Sequence, residues 1–324
     1  MNRLALVALM SLTGASGCGD DAETFSVVAD QITGGVFLGA TSDGQETIFV
    51  GGQLNEGPGI IARYNDDGLC VEEGASDRAL WWIHSARAGE WYAVGEAGTI
   101  IHSVDGVRTV ESVTTDAILY GVWDAGDRVI AVGGDVRGSG EGEVWVKNAG
   151  TWSLLAGGLP GVVFKVWDQW LVGKDVAYHL EGDTLVERFP PANTSLLTVI
   201  GRDDNDVWAV GGLTTPTTLH WNGSDWDAVT VKQVCAGNNG LNGVWTAPGE
   251  DLWIGGFFGT MAFFDGTDWS CPKAPPTYEH FHVVVKHGDE MLWGGGNLFN
   301  AGNNFGTIGR YGKGKRVLEA KPCP

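Results

Sequence analysis

The chain has 324 residues, including 51 glycines and 15 tryptophans, and its 40 Asp and Glu against 20 Lys and Arg give a formal net charge of −20. This charge argues against nucleic acid as a partner, because phosphates call for a basic surface, and against electrostatic docking on anionic lipid headgroups. The 43% of hydrophobic residues suffices for a large core, and the many Gly and Trp favour β-structure with tight turns.

The N-terminus has the pattern of an export signal. Arg3 supplies a short basic region, and residues 4–12 form an apolar stretch too short to span a bilayer, which takes about 20 residues. The following Ala15-Ser16-Gly17-Cys18 resembles the lipobox of bacterial lipoproteins, although that family usually has Leu in place of Ala15. We therefore expect a signal peptide over residues 1–17. The alternative is an ordinary signal peptide that ends near a Cys.

The lipobox resemblance implies a location as well as a modification. In that family the Cys thiol is diacylated, for example with palmitate, so Cys18 would become the mature N-terminus and residues 18–24 a lipidated short tether. The lipid would then be the only membrane contact of a protein in the bacterial cell envelope, on its periplasmic or surface side. Gly19 is not an inner-membrane retention residue, so the outer membrane is the expected location.

Four further cysteines stand at positions 70, 235, 271 and 323. An even number in an exported chain predicts two disulfides, and three connectivities are open at this point. Metal binding is the rival explanation, but the chain has no Cys-x-x-Cys and no His beside any of the four, so disulfides are favoured.

A repeated unit of four short strands covers the rest of the chain. Clear copies lie at residues 196–226 and 243–269, each with a second strand ending in Gly-Gly and a last strand opening with Trp. Hairpin-turn signals recur seven times from Asp67-Gly68 to Gly312-Lys313, at intervals of about 41 residues. This period predicts an all-β fold, a single β-propeller of seven four-stranded blades over residues 25–324, with most Trp packed between blades. Six or eight blades are the alternatives, because the signals are thin around residues 157–188.

The blades resemble those of known propeller families. The sequence VWAVGG followed by LHWNGSDW at residues 207–226 is similar to bacterial Asp-box (sialidase-type) and photosystem-assembly-factor-like propellers of exported lipoproteins. The resemblance covers roughly residue 32 to the C-terminus, at the level of repeats. Residues 102–109 come closest to the Asp-box but lack its Trp. Since the box is a folding element in that family, the resemblance implies shape and not activity.

Closure of the ring also predicts which cysteines pair. Residues 25–28 or residues 316–320 could each supply the outer strand of the seventh blade. Cys70 then lies on the outer strand of the first blade and Cys323 just past the last strand of the neighbouring seventh, while the other two follow the outer strands of adjacent blades five and six. We predict the disulfides Cys70–Cys323 and Cys235–Cys271.

Propeller ligands usually meet one face, built by the loops from second to third strands and by the connections between blades. The longest of these loops are rich in Asn, Gly and aromatic residues, which suits hydrogen bonding and stacking on sugars or peptides. The alternative is that Asn and Gly only serve turn geometry. The candidate ligand-face residues are Arg137, Glu141, Phe257, Phe258, Asn297, Asn300 and Phe305.

Signs of catalytic chemistry are sparse. Hydrolase and nucleotide-binding motifs are absent from the sequence, and its scattered arginines and negative charge disfavour a sialidase. His280 and His282 form the only His-x-His; on a strand both rings would face one side and could bind a divalent metal such as Zn²⁺, with Glu279 or Asp289 as a further ligand. The alternative is that both histidines are structural, and no other cofactor is expected.

Two functional hypotheses follow. The favoured one is a non-catalytic, envelope-anchored binding or scaffold propeller that recognises a protein, peptide or glycan through one loop face. An assembly factor for an envelope complex is a version of it. The alternative is a propeller hydrolase or lyase that acts on extracellular glycan and could depend on the metal at His280 and His282. An enzyme should gather carboxylates and histidines near one mouth, whereas the acidic residues here are spread along the chain.

Overall fold

The computed structural model describes residues 22–300 and 302–324 and shows seven sheets, each built on four antiparallel strands. The first strand, β1 (Glu23–Ile32), belongs to the last sheet. Sheets one to three consist of β2 (Val36–Ser42), β3 (Thr47–Gly52), β4 (Gly59–Asn65) and β5 (Gly68–Ser76); β6 (Leu80–Arg87), β7 (Glu90–Gly95), β8 (Thr99–Val104) and β9 (Val107–Ser112); and β10 (Ile118–Asp124), β11 (Val129–Gly134), β12 (Gly142–Asn148) and β13 (Thr151–Leu159).

Sheets four to seven repeat the same order. They consist of β14 (Val163–Trp167), β15 (Trp170–Gly173), β16 (Ala177–Glu181) and β17 (Thr184–Glu187); β18 (Leu196–Asp203), β19 (Asp206–Gly211), β20 (Thr217–Trp221) and β21 (Trp226–Ala228); β22 (Leu241–Trp245), β23 (Leu252–Gly256), β24 (Met261–Phe264) and β25 (Trp269–Ser270); and β26 (His280–His287), β27 (Glu290–Gly296) and β28 (Gly306–Lys313) with β1. A last strand, β29 (Lys321–Pro322), is added to sheet one. The seven-bladed, four-stranded propeller is confirmed.

Helix is almost absent from the described residues. It is limited to α1 (Gln233–Ala236) and two 3-10 turns, Glu96–Gly98 and Phe257–Gly259. None of these helical pieces is long enough to cross a membrane. The predicted signal peptide and Cys18 lie outside the described residues.

The N-terminal strand closes the ring. β1 pairs with β28 from Glu23 opposite Lys313 to Ile32 opposite Gly306, so the first of the two predicted closing segments is the correct one. The strand already includes Glu23 and Thr24, so hydrogen bonding to the last blade extends beyond residue 25 towards the N-terminus. Residues 316–320 instead lead to β29, which pairs in parallel with β5.

Each innermost strand carries a β-bulge at one equivalent position. In β2, for example, Phe37 lies opposite Gly51 and Gly39 opposite Val50, so Leu38 has no partner in the ladder. The bulge presses the carbonyl oxygen of Val36 towards the second strand, where a Cβ on Gly51 would lie 1.8 Å from it. Only glycine fits there. The corresponding residue is glycine in all seven blades: Gly51, Gly95, Gly133, Gly173, Gly211, Gly256 and Gly295.

The tryptophans divide between blade contacts and the central channel. Seven of the fifteen are buried, and Trp293 is fully so, with its indole N–H donating to the Ile254 carbonyl at 2.9 Å. Five partly exposed ones line the channel: Trp81, Trp82, Trp123, Trp167 and Trp245.

Both predicted disulfides are present, Cys70–Cys323 and Cys235–Cys271. The first joins residues 253 positions apart and holds the C-terminal segment on the outer edge of blade one. There the Leu318 amide donates to the Val28 carbonyl at 2.8 Å, and the Arg316 guanidinium lies 4.6 Å from the centre of the Tyr64 ring. The segment thus links blades seven and one a second time.

Replacing both Cys70 and Cys323 by Ser is expected to lower the free energy of unfolding by about 2–4 kcal/mol, because the disulfide restricts a very long loop in the unfolded chain. Urea denaturation of oxidised wild type and the double variant measures the difference. The matched control is Cys235→Ser with Cys271→Ser, whose disulfide spans only 36 residues and should contribute less. A loss below about 1 kcal/mol for the first pair would contradict its role in closing the ring.

Candidate functional site

The loops from second to third strands and the connections between blades lie on one side of the ring, here called the upper face. Contacts between loops of different blades confirm the shared side: the Gln53 amide exchanges hydrogen bonds with the Asn304 backbone at 2.7 and 2.9 Å, and the Arg137 guanidinium donates to the Asn55 side chain. The upper face is therefore the one that the sequence analysis expected to meet a ligand.

The seven bulged residues form a ring just below this face. At each bulge the extra residue is released from the ladder, and its side chain lines the channel. Trp81, Tyr120 and Phe164 on successive blades meet edge to face, with ring centres 4.9 and 5.2 Å apart. We call this set the bulge ring: Leu38, Trp81, Tyr120, Phe164, Leu197, Asn242 and His282.

The bulge ring surrounds a cavity of about 260 Å³, here called the upper cavity. Above the ring, loop side chains extend its apolar wall, and below it Lys165 and Thr198 form the floor: the loop residues are Val136, Leu213, Phe257, Leu298 and Phe299. An apolar concavity with a few polar groups is the usual form of a ligand site.

Exposed apolar side chains are frequent on the upper face. Twelve large hydrophobic residues are exposed in the described ranges, and seven of them lie on the upper face: Val136, Phe189, Leu213, Val234, Phe258, Tyr278 and Phe299. Three of them, Val136, Leu213 and Phe299, also line the upper cavity, and exposed apolar surface of this kind is typical of binding sites. Cavity and surroundings together therefore form one candidate binding surface.

The polar atoms inside the upper cavity are mostly without partners. Trp81 Nε1, Asn242 Nδ2 and His282 Nε2 are buried, and no atom of residues 22–300 and 302–324 forms a hydrogen bond with them. Lys165 Nζ donates to the Tyr120 carbonyl at 2.9 Å and lies 3.4 Å from the centre of the Trp82 ring. Buried polar atoms are nearly always paired in folded proteins, so this cluster needs an explanation.

Two other cavities are larger, and both contain ion pairs within the chain. A groove of about 710 Å³ follows the outer edge of blade one, where Arg63 pairs with Glu46 and Arg108 with Glu72, both at 2.5 Å. The opposite mouth of the channel holds the lower cavity, about 390 Å³, lined by Trp82, Trp123, Trp167 and Trp245 among others. Its Lys286 pairs with Glu250 at 2.5 Å.

The predicted ligand-face residues have different roles. Phe257 lines the upper cavity, and Phe258 beside it is exposed and has a left-handed backbone (φ 54°), which is strained for a bulky side chain. The Asn297 side chain accepts from the Phe305 amide at 2.6 Å and donates to the Asn303 carbonyl at 3.0 Å, so it shapes its own loop. Of the others, Arg137, Glu141 and Asn300 are exposed and Phe305 is half-buried.

The two histidines of the His-x-His have different surroundings. His280 Nδ1 accepts from the Phe258 amide at 3.2 Å, and its ring contacts Phe257 and Phe299, whereas His282 is the bulged residue and lines the upper cavity. Asp289 is at the other end of β26, about 30 Å of extended chain from His280. No group of three His, Cys, Asp or Glu side chains suited to a metal ion is found in the part of the chain that the structure describes.

Burial sets the protonation of these histidines. It lowers the pKa of His282 to about 3, with smaller contributions from Lys165 and His280, and it also lowers the pKa of His280. Both rings are therefore neutral at pH 7.

The sequence predicts the loops of the upper face as a ligand site but does not reveal the cavity below them. Of the bulge ring the sequence pattern indicates only His282, and nothing in the sequence points to Lys165. A signal does exist. In every blade one residue of the first strand pairs with a glycine of the second strand, and the next residue is the bulged one. In blade one Phe37 pairs with Gly51, and Leu38 follows it. The signal can be read only when the pairing of the first and second strands is known. That pairing is set by hydrogen bonds in the folded sheet, not by the sequence alone.

The chain matches no protein-family description and no curated protein sequence. Solved structures do resemble it. YCF48 bound to a D1 peptide is 15% identical with a TM-score of 0.63, over 90% of this chain and 97% of that one. The WD40 propeller domain of Doa1 is 11% identical with a TM-score of 0.63, over 91% and 98%, and a luciferin-regenerating enzyme is 12% identical with a TM-score of 0.55, over 93% and 100%. These likenesses confirm the propeller fold, including its similarity to a photosystem-assembly-factor propeller.

Proposed function

We propose that the protein is a non-catalytic scaffold that binds a segment of another protein on its upper face, with one apolar group of that segment in the upper cavity. The observation that carries the proposal is the apolar cavity of about 260 Å³ surrounded by exposed apolar side chains. Burying such surface against a partner is favourable, at roughly 25 cal/mol per Å². That the similar propeller YCF48 has been solved with a bound peptide supports a peptide as the partner.

Charge adds to the chemistry of the partner. The protein carries a formal net charge of −20, so a segment with basic residues outside the cavity is attracted to it and a strongly acidic one is repelled. Asp135, Glu141 and Glu56 lie on loops of the upper face. We expect basic residues of the segment to meet them.

A glycan hydrolase or lyase is the weaker candidate. Acid–base cleavage of a glycosidic bond uses a pair of carboxyl groups that flank the bond. The side chains that line the upper cavity, taken over the described residues, include neither Asp nor Glu. We therefore favour a site that binds without cleavage.

Anchoring through Cys18 is also part of the proposal. β1 begins at Glu23, and this end of the strand lies beside Lys313, on the side of the ring opposite the upper face. Only five residue steps separate Cys18 from Glu23, at most about 18 Å. A lipid on Cys18 would therefore hold the lower side at the membrane and leave the upper face accessible. Labelled palmitate should be incorporated into wild type and not into Cys18→Ser; labelling that persists in the variant would contradict the anchor.

The binding face is tested with peptides selected from a random linear library against the purified propeller. Leu213→Asp and Phe299→Asp should each weaken peptide binding at least about tenfold, because a carboxylate at an apolar contact must lose its water. Val317→Asp and Val107→Asp are matched controls: Val317 is 66% exposed like Leu213, and Val107 is 72% exposed like Phe299, but both lie away from the upper face. Equal losses in test and control variants would contradict the proposal.

A further inference from the structure

Three lysines lie over aromatic rings, and one of them lacks a carboxylate. Lys147 Nζ is 5.2 Å from the centre of the Tyr92 ring and 2.6 Å from Glu111, and Lys286 Nζ is 5.7 Å from the Trp245 ring and 2.5 Å from Glu250. Lys165 Nζ is closest to its ring, 3.4 Å from the centre of Trp82.

Lys165 has no counter-ion among the described residues. The residue is 7% exposed, and the only hydrogen bond of its ammonium group goes to the Tyr120 carbonyl, which leaves two of its three donors unused. A buried ammonium without a carboxylate is costly, and the two other lysines show how this fold otherwise neutralises one.

The unpaired donors of the cavity lie around the same floor. Trp81 Nε1 and Asn242 Nδ2 are donors without partners, and His282 can also turn an N–H into the cavity. Four donors and no Asp or Glu line one small cavity. Such a set complements a group that only accepts hydrogen bonds and carries negative charge.

We propose that the floor of the upper cavity is a carboxylate-binding subsite, in which Lys165 pairs with a carboxylate whose apolar body lies against Tyr120 and Phe164. This rests on the proposed function in one respect, since it names the group that the bound segment inserts. The shared chemistry is a carboxylate on an apolar body. It could come from the C-terminus of a polypeptide or from a free aliphatic or aromatic acid.

Binding should couple to protonation of Lys165. Burial lowers the pKa of its ammonium group well below the ordinary value. The titratable groups around it are the neutral His282 and His280 and the Tyr120 phenol, whose pKa burial raises. The charges of Arg137, Glu96 and Asp135 act on that phenol. A bound carboxylate restores the charged form, so affinity should fall as pH rises and binding should take up a proton.

The test compares 3-phenylpropionate with the neutral 3-phenylpropionamide by titration calorimetry at pH 6.5, in two buffers of different ionisation enthalpy. The acid should bind at least tenfold more tightly than the amide, and Lys165→Met should remove that preference. Lys147→Met is the control, because Lys147 also lies over an aromatic ring but is paired with a carboxylate. This variant should keep the preference for the acid. Equal binding of acid and amide, or a preference that survives in Lys165→Met, overturns the proposal. Should Lys165→Met fail to fold, Trp81→Phe removes one donor and should weaken acid binding severalfold.

A pentapeptide ending in phenylalanine, with a free or an amidated C-terminus, separates this inference from the proposed function. Tighter binding of the peptide with a free C-terminus supports both the peptide scaffold and the carboxylate subsite. It also identifies a polypeptide C-terminus as the source of the carboxylate. Lys165-dependent binding of 3-phenylpropionate that neither peptide displaces supports the subsite and contradicts the peptide scaffold. Equal binding of both peptides without any acid preference supports the scaffold and overturns the subsite.

Discussion

Deletion of residues 1–32 is expected to prevent the propeller from folding, with a loss above about 5 kcal/mol, which is comparable to the stability of a whole domain. β1 supplies the outer strand of blade seven and pairs with β28 along its length. Without it, β28 becomes an open edge, and the buried side chains of Val28 and Ile32 no longer cover the core between blades seven and one. The deletion also removes the contact of Phe25 with Tyr311, whose ring centres lie 4.7 Å apart.

Circular dichroism, denaturant unfolding and size exclusion would show this loss. The matched control is deletion of residues 1–22, which leaves β1 intact and should unfold like the full chain. Val28→Asp is a milder version, because it places a carboxylate at a fully buried position and should cost several kcal/mol. A cooperative, monomeric propeller without residues 1–32 would contradict ring closure by β1.

Acidification from pH 7 to pH 5 is expected to destabilise the protein by about 4 kcal/mol, well before its carboxylates are protonated. Burial lowers the pKa of His84 and of His282 to about 3, from 6.5 in the unfolded chain. Between these values the unfolded chain binds protons and the folded one does not, so stability is lost as pH falls through 6.5 towards 3. At pH 5 each histidine contributes roughly 2 kcal/mol to the loss.

Carboxylates act in a lower window. Arg87 and His102 hold the pKa of Glu90 near 2, so the contacts of such groups weaken only below about pH 4.5. The free energy of unfolding, measured in urea at half-unit steps from pH 7.5 to 4.5, separates the contribution of the histidines from that of the carboxylates. His282→Leu should reduce the loss between pH 7 and 5 by about 2 kcal/mol, and the contribution of His84 remains. Stability that is flat down to pH 5 would show that these rings are protonated in the folded protein.

The repeats made the fold predictable. A period of about 41 residues, hairpin turns at equivalent positions and second strands ending in glycine all depend on local geometry that each blade repeats. The disulfides followed from this register, and Cys70–Cys323 and Cys235–Cys271 are both present. The closing strand could be reduced to two segments but not chosen, because either one has a suitable apolar pattern.

The candidate site could be predicted only in part. Loop lengths indicated the upper face, but the cavity depends on bulged residues inside the first strands, such as Tyr120 and Phe164, which in the sequence look like any other core aromatic. Lys165 is a single lysine within an apolar strand, and its missing counter-ion is a fact of three-dimensional arrangement. His280 and His282 were considered together because a regular strand would align them, and the bulge at His282 breaks that alternation.

The central claim, that a partner segment binds in the upper cavity, is tested most directly by the indole N–H signals of the tryptophans in a nitrogen-15 spectrum. Trp81 lies in the upper cavity with an unpaired N–H, whereas Trp123, Trp167 and Trp245 line the lower cavity. Titration with a selected peptide should shift the Trp81 signal strongly and leave the three lower signals in place. A shift confined to the lower tryptophans, or none at Trp81 when the peptide is saturating, would contradict it.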